Sequence, residues 1–266
     1  MSGVVLEAAL RRDRYVVAAA LIIVTAMAWA YVGWLAAGMD MDMTPEQMAA
    51  MATPAFKTWT PTYFALMLLM WVVMMVGMMT PSAAPMILLY ARVGRQAATQ
   101  GKPFAATGWF AAGYLLAWAG FSVAATLAQW FLERAMLLSS MTGIASNLLG
   151  GILLVAIGIY QWTPLKYACL DQCQSPLSFI QQHGGFRREA SLSLRLGAMH
   201  GAYCVGCCWA LMALLFVGGV MNLLWIAAIT ILVLLEKIVR AGRTLPRVAG
   251  IGLIVAGIWL LVNPPV

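Results

Sequence analysis

Apolar residues run along this chain in long blocks separated by short polar stretches, and the blocks set the expected architecture. A bilayer core about 30 Å thick asks for roughly 17–25 apolar residues per helical crossing. Seven stretches fit, at about 15–37, 62–80, 104–130, 142–161, 196–217, 221–238 and 248–263. The pattern predicts an all-α, polytopic membrane protein, a single domain over 1–266 with about seven transmembrane helices. Residues 1–14 are short and polar, and the apolar run behind them is too long for a signal-peptide core, so it is expected to stay as the first crossing. Only a few residues around Gly218, Gly219 and Val220 separate the fifth and sixth stretches, which predicts an antiparallel helical hairpin.

Basic residues give the orientation, because cytoplasmic loops hold an excess of Lys and Arg. With the N-terminus inside, the inner segments carry Arg11, Arg12, Arg14, Arg92, Arg95, Lys102, Lys166, Arg187, Arg188, Arg195, Lys237, Arg240, Arg243 and Arg247. That is fourteen of the sixteen, and only Lys57 and Arg134 fall outside. The alternation predicts N-in/C-out with an odd number of crossings, as a multi-pass protein of a bacterial inner membrane. Composition agrees: 63% apolar and 9% charged residues exclude a soluble globule. The net charge of +7 follows the membrane and forms no single patch, so the lipid bilayer is the expected surface partner and nucleic acid is not. No phosphate-binding Gly-rich loop is present, and no acidic residue sits deep in a stretch as a proton relay would need.

The chemistry concentrates in Met199–Met212, reading MHGAYCVGCCWALM. At roughly 100° per residue, His200, Cys204, Cys207 and Cys208 fall within about a 100° arc of one helix, with Met212 at its edge. Three thiols and an imidazole suit a soft ion, Cu(I) first and zinc second. A lone free cysteine would read as a small hydrophobe, but three within five positions are hard to ascribe to packing.

Other soft atoms extend the pattern. The outer loop opens with Met39, Met41 and Met43 around Asp40 and Asp42, a thioether cluster that could collect Cu(I) or, alternatively, touch lipid. In the second stretch Met67, Met70, Met74 and Met78 share an arc of about 80°, flanked by Met75 and Met79. Such a stripe is ordinarily flexible apolar filling, but Met74 lies roughly 16 Å from the outer end and Cys204 roughly 12 Å from the inner end, at 1.5 Å per residue. Both depths are near the midplane, so Met74 and Met78 would share a site with the cysteines if the second and fifth helices touch. Pro81 and Pro85 either kink the second helix or begin an interfacial segment. In the inner loop Cys169 and Cys173 are one turn apart, so a short helix after Pro164 would present both on one face, kept as thiols by a reducing cytoplasm, either for metal exchange or as unremarkable thiols. His183 reads as a loop histidine. Glu236 and Lys237 read as interfacial charges, with Glu236 alternatively anchoring a nearby basic residue.

Pro81 and Pro85 after a Met-rich helix, TPLK at 163–166 with Cys169 and Cys173, the CVGCCWALM run from Cys204 to Met212, Met221-Asn222 and Glu236-Lys237 together resemble the bacterial family of predicted metal-binding integral membrane proteins, also called PpoB2-like. The resemblance spans roughly 62–240. It implies a multi-helix inner-membrane protein with a metal site, associated with copper, and carries no settled activity. The expectation is therefore a membrane protein that binds a soft metal, Cu(I) above zinc, and transfers it across the membrane or to a copper enzyme or metallochaperone. Its binding residues would be His200, Cys204, Cys207, Cys208, Met74, Met78, Cys169, Cys173, Met39, Met41 and Met43. Two other readings stay open: a membrane thiol oxidoreductase, and a non-enzymatic assembly factor with structural cysteines.

Overall fold

A computed structural model describes residues 2–40, 59–100, 107–138, 146–186, 188–239 and 243–263; the side chains of 2–14, 38–40 and 98–99 are outside that description. The elements are α1 (Ser2–Asp40), α2 (Pro61–Thr99), α3 (Thr107–Arg134), α4 (Asn147–Tyr160), α5 (Pro164–Gln174), α6 (Pro176–Gln182), α7 (Ala190–Ala213), α8 (Leu215–Gly218), α9 (Leu223–Ile238) and α10 (Thr244–Val262). No strand occurs among the described residues, so the protein is all-α.

Every predicted apolar block is helical, but the blocks differ in length. Helices α1, α2, α3, α7 with α8, and α10 are long and apolar enough to cross a membrane. Helices α4 and α5 make a sixth such segment if their 66° bend is counted as a break within one crossing. Helix α9 has 16 residues and α4 has 14. At 1.5 Å per residue these reach roughly 24 and 21 Å. Among the described residues there are thus five or six segments of full crossing length where the apolar blocks predict seven. Capping residues set two of the starts: Ser146 accepts from Leu149 N ahead of α4, and Asn222 accepts from Trp225 N ahead of α9.

Helix α2 passes through Pro81 and Pro85 and ends only at Thr99, so the boundary expected at 80 is not a helix end. Each proline withholds the donor that the carbonyl four residues earlier, Gly77 or Pro81, would use, and two hydroxyls gather on a carbonyl between them. Ser82 Oγ donates to the Met79 carbonyl at 2.9 Å and Tyr114 OH donates to the same oxygen at 3.1 Å.

Two close helix pairs carry the packing. Helices α3 and α7 run side by side in the same direction: a Cβ on Gly197 would strike the Phe110 carbonyl, and one turn on a Cβ on Gly201 would strike Ala117 and the Tyr114 carbonyl. Helices α4 and α10 are antiparallel, with Gly151 against Gly257 and Gly158 against Gly250. Small residues at such crossings let backbones approach where lipid offers no hydrophobic drive. The expected hairpin is present as α7–α9. Gly219 turns it at a φ of 95°, open to glycine at little cost. Trp225 Nε1 donates to the Leu214 carbonyl at the turn, at 2.7 Å. Helix α3 lies between most of α2 and α7, which meet where the Tyr90 and Ser193 hydroxyls stand 2.9 Å apart.

Candidate functional site

The helical face predicted on α7 is the face that is buried: His200, Cys204, Cys207 and Cys208 are all within 3% of full burial. Opposite it lies α5. Thr163 caps this helix by accepting from Lys166 N at 3.3 Å, Pro164 opens it, and the resulting register turns Cys169 and Cys173 toward α7. Cys173 Sγ is 3.9 Å from Cys207 Sγ, which is 3.2 Å from Cys208 Sγ. Cys169 Sγ fills the space over Gly206, where a Cβ would meet it. All five cysteines are free thiols. The loop pair and the helix triplet, separate in the sequence reading, therefore form one group.

Charges enter the same region. Lys237 Nζ lies 2.8 Å from Cys204 Sγ and 2.9 Å from Ser82 Oγ. The Tyr114 hydroxyl, 3.1 Å from Cys204 Sγ, links that sulfur to the proline-bearing stretch of α2. One residue away, Glu236 pairs with Lys166 at 2.6 Å, both within 2% of full burial. Gln161 Nε2 donates to the second carboxylate oxygen at 3.2 Å. A buried ion is costly unless paired and hydrogen-bonded, and this one is both. Of the two roles open to Glu236, anchoring a basic residue is the one the structure displays. Sequence reasoning missed Lys166, Gln161, Ser82 and Tyr114 as parts of this region. The available signal was the charged pair at the end of an apolar block, which an interfacial position explained too easily.

The remaining predicted ligands fare differently. The His200 ring packs among Phe110, Tyr114 and Phe179, with centroids 6.0, 5.9 and 5.0 Å away. Its Nδ1 is buried with no hydrogen-bond partner among the described residues. Met74 and Met78 are buried in the same core as the cysteines, and no hydrogen bond joins either to a thiol. Met41 and Met43 lie outside the described residues; Met39 is in α1 with its side chain outside the description. His183 stacks on Phe179 at 4.4 Å and engages its carbonyl through Nδ1 at 2.8 Å, the ordinary loop histidine that was expected.

Depth depends on the helix used to measure it. Along α7 the thiols lie well inside the element. Along the short helices they lie at an end: the last residue of α4, Tyr160, donates its hydroxyl to the Gly206 carbonyl at 2.5 Å, and Lys237 belongs to the last turn of α9. That staggering is how charged and apolar groups come to share one level of the bundle.

Among the described residues no group of three or more His, Cys, Asp or Glu side chains is already arranged to hold an ion. Cys173, Cys207 and Cys208 meet sulfur to sulfur, and Cys204, which faces the Lys237 ammonium, is hydrogen-bonded with the same thiols. Soft donors of this kind suit Cu(I), and four thiols would also serve Zn(II). The orphaned imidazole Nδ1 adds one unused donor in the neighbourhood.

Fold and site define an all-helical protein with several helices of membrane-spanning length around a buried thiol cluster. Residues 68–260 match the PpoB2 family, described as copper chaperone, and the chain belongs to that family. The matched region holds all five cysteines and leaves out Met39, Met41 and Met43. No curated protein and no solved structure matches the chain. Membership ties the protein to copper.

Proposed function

We propose that this protein crosses a bacterial inner membrane seven times, N-in/C-out, takes Cu(I) as cargo at the cluster of Cys173, Cys204, Cys207 and Cys208, and passes it across the membrane or to a copper enzyme. The observation that carries the reading is the meeting of thiols from α5 and α7, with Cys173 3.9 Å from Cys207 and Cys207 3.2 Å from Cys208. Relative helix directions support the crossing count: α3 and α7 run parallel while α4 opposes α10 and α7 opposes α9, as seven alternating crossings require. On this reading α9 and the α4–α5 unit complete the count in spite of their length.

Cys207 and Cys208 are the first pair to hold the ion, Cys173 is the exchange thiol, and Cys169 stands behind it. Lys237 brings to Cys204 a positive charge that the ion must displace or tolerate, so Cys204 joins last. Met74 and Met78 form the apolar approach, and Met39, Met41 and Met43 collect the ion outside. The same ladder serves transfer in either direction. A thiol oxidoreductase ranks lower because Cys204, Cys207 and Cys208 are buried away from a protein disulfide and only Cys173 is partly exposed. Zinc is the competing metal.

The test is metal content by elemental mass spectrometry on reduced, detergent-purified protein. Wild type is expected to hold near-stoichiometric copper, and C204A/C207A/C208A to hold none. Retention falls as pH drops, since thiols must release protons to bind. Wild type that takes up no copper after loading under reducing conditions overturns the reading.

A further inference from the structure

A cavity of about 340 Å³ opens between the α4–α5 bend and the start of α10, walled by Trp162, Tyr167, Asp171, Arg243 and Arg247. Its size suits a small polar group. Arg243 lies over the Tyr167 ring, 4.8 Å from its centroid, and the Trp162 indole donates to the Arg247 carbonyl at 3.2 Å. The aromatic wall thus holds the α10 start in place while the guanidinium of Arg247 makes no ion pair among the described residues. Two guanidinium groups against the one carboxylate of Asp171 leave the wall positive. The first turn of α10 has no side-chain cap, so its free amides add to the attraction for an anion.

What lies beyond the cavity decides which anion. Arg247, Ile251, Val255, Ile258 and Val262 follow one another along one face of α10, within about a 120° arc at 100° per residue. These four apolar side chains are 51–70% exposed. Two cations at the head of an exposed apolar stripe have the layout of a lipid: phosphate first, acyl chain after. Basic pockets between membrane helices take anionic headgroups for this reason.

We infer that this cavity binds the phosphodiester headgroup of a membrane lipid, with the phosphate on Arg243 and Arg247, a headgroup hydroxyl or ammonium on Asp171, and the acyl chain along α10. The site is independent of the copper reading. It does touch the same helix, because Tyr167 and Asp171 share α5 with Cys169 and Cys173.

Native mass spectrometry of the full chain in detergent tests it, using phosphatidylglycerol and phosphatidylcholine of identical acyl chains and free glycerol 3-phosphate. Wild type should retain phosphatidylglycerol over phosphatidylcholine, whose headgroup offers Asp171 no donor. R243Q/R247Q should weaken that retention by roughly fivefold per arginine, while R243K/R247K keeps most of it. Asp171→Ala should narrow the preference between the lipids. Equal phosphatidylglycerol retention by wild type and R243Q/R247Q overturns the site. Equal retention of the two lipids by wild type overturns the donor recognition, and glycerol 3-phosphate binding as tightly as the lipid overturns the membrane source.

Discussion

Cys204, Cys207 and Cys208 on α7 and Met70, Met74 and Met78 on α2 are soft-atom runs at helical spacing, and all six side chains are within 3% of full burial. Around the cysteines three other elements converge: α5 brings Cys173, α9 brings Lys237 and α3 brings Tyr114. The methionines are buried in the same core. A thioether is a weak acceptor that asks for no partner, and it fills irregular gaps well. A thiol beside a buried ammonium is a different object. The contrast teaches that soft atoms on one helix are common, and that a second element reaching them with polar atoms makes a site.

Ligand exchange should break this comparison most strongly. Cys207→Ser or Cys173→Ser should lower retained copper on the order of tenfold or more, a scale reached even by loss of outer-shell partners. Met74→Leu with Met78→Leu, which conserves volume, should change it by about twofold or less. Equal losses, read by elemental mass spectrometry after dialysis, would place both faces in one site and end the contrast.

The buried ion pair comes next. Lys166→Ala strands Glu236 and should destabilise the protein by about 3–5 kcal/mol, and pairing Lys166→Met with Glu236→Leu should recover much of that. Thermal unfolding in detergent reads both, and an unchanged midpoint for Lys166→Ala would show that the pair does not hold α5 against α9.

A smaller effect is expected at the α3–α7 crossing, which sets Tyr114 beside Cys204. Gly197→Ala pushes a methyl into the Phe110 carbonyl and should cost about 1–3 kcal/mol. Gly252→Ala, with nothing within 4 Å, should stay within about 0.5 kcal/mol. If both unfold alike, close approach at Gly197 does not support the thiol cluster.

Much of the fold was legible because a bilayer constrains sequence one segment at a time: each crossing must be apolar over its own length. The buried face of α7 was legible for the same reason, since His200, Cys204, Cys207 and Cys208 depend only on a 3.6-residue period. Pro81 and Pro85 misled because each removes one backbone hydrogen bond from α2, which continues through both to Thr99. Glu236 and Lys237 misled because two charges at the end of a block look alike whether they meet water or Lys166 and Cys204.

By itself the sequence determined the helical blocks, the clustering of thiols on one face and the side of the membrane its basic residues favour, all properties of local period and composition. Only the tertiary structure decided that Cys173 meets Cys207, that Lys237 reaches Cys204 and that Lys166 neutralises Glu236. These depend on how helices stagger, and stagger follows from glycine crossings and a 66° bend whose outcome no single segment encodes.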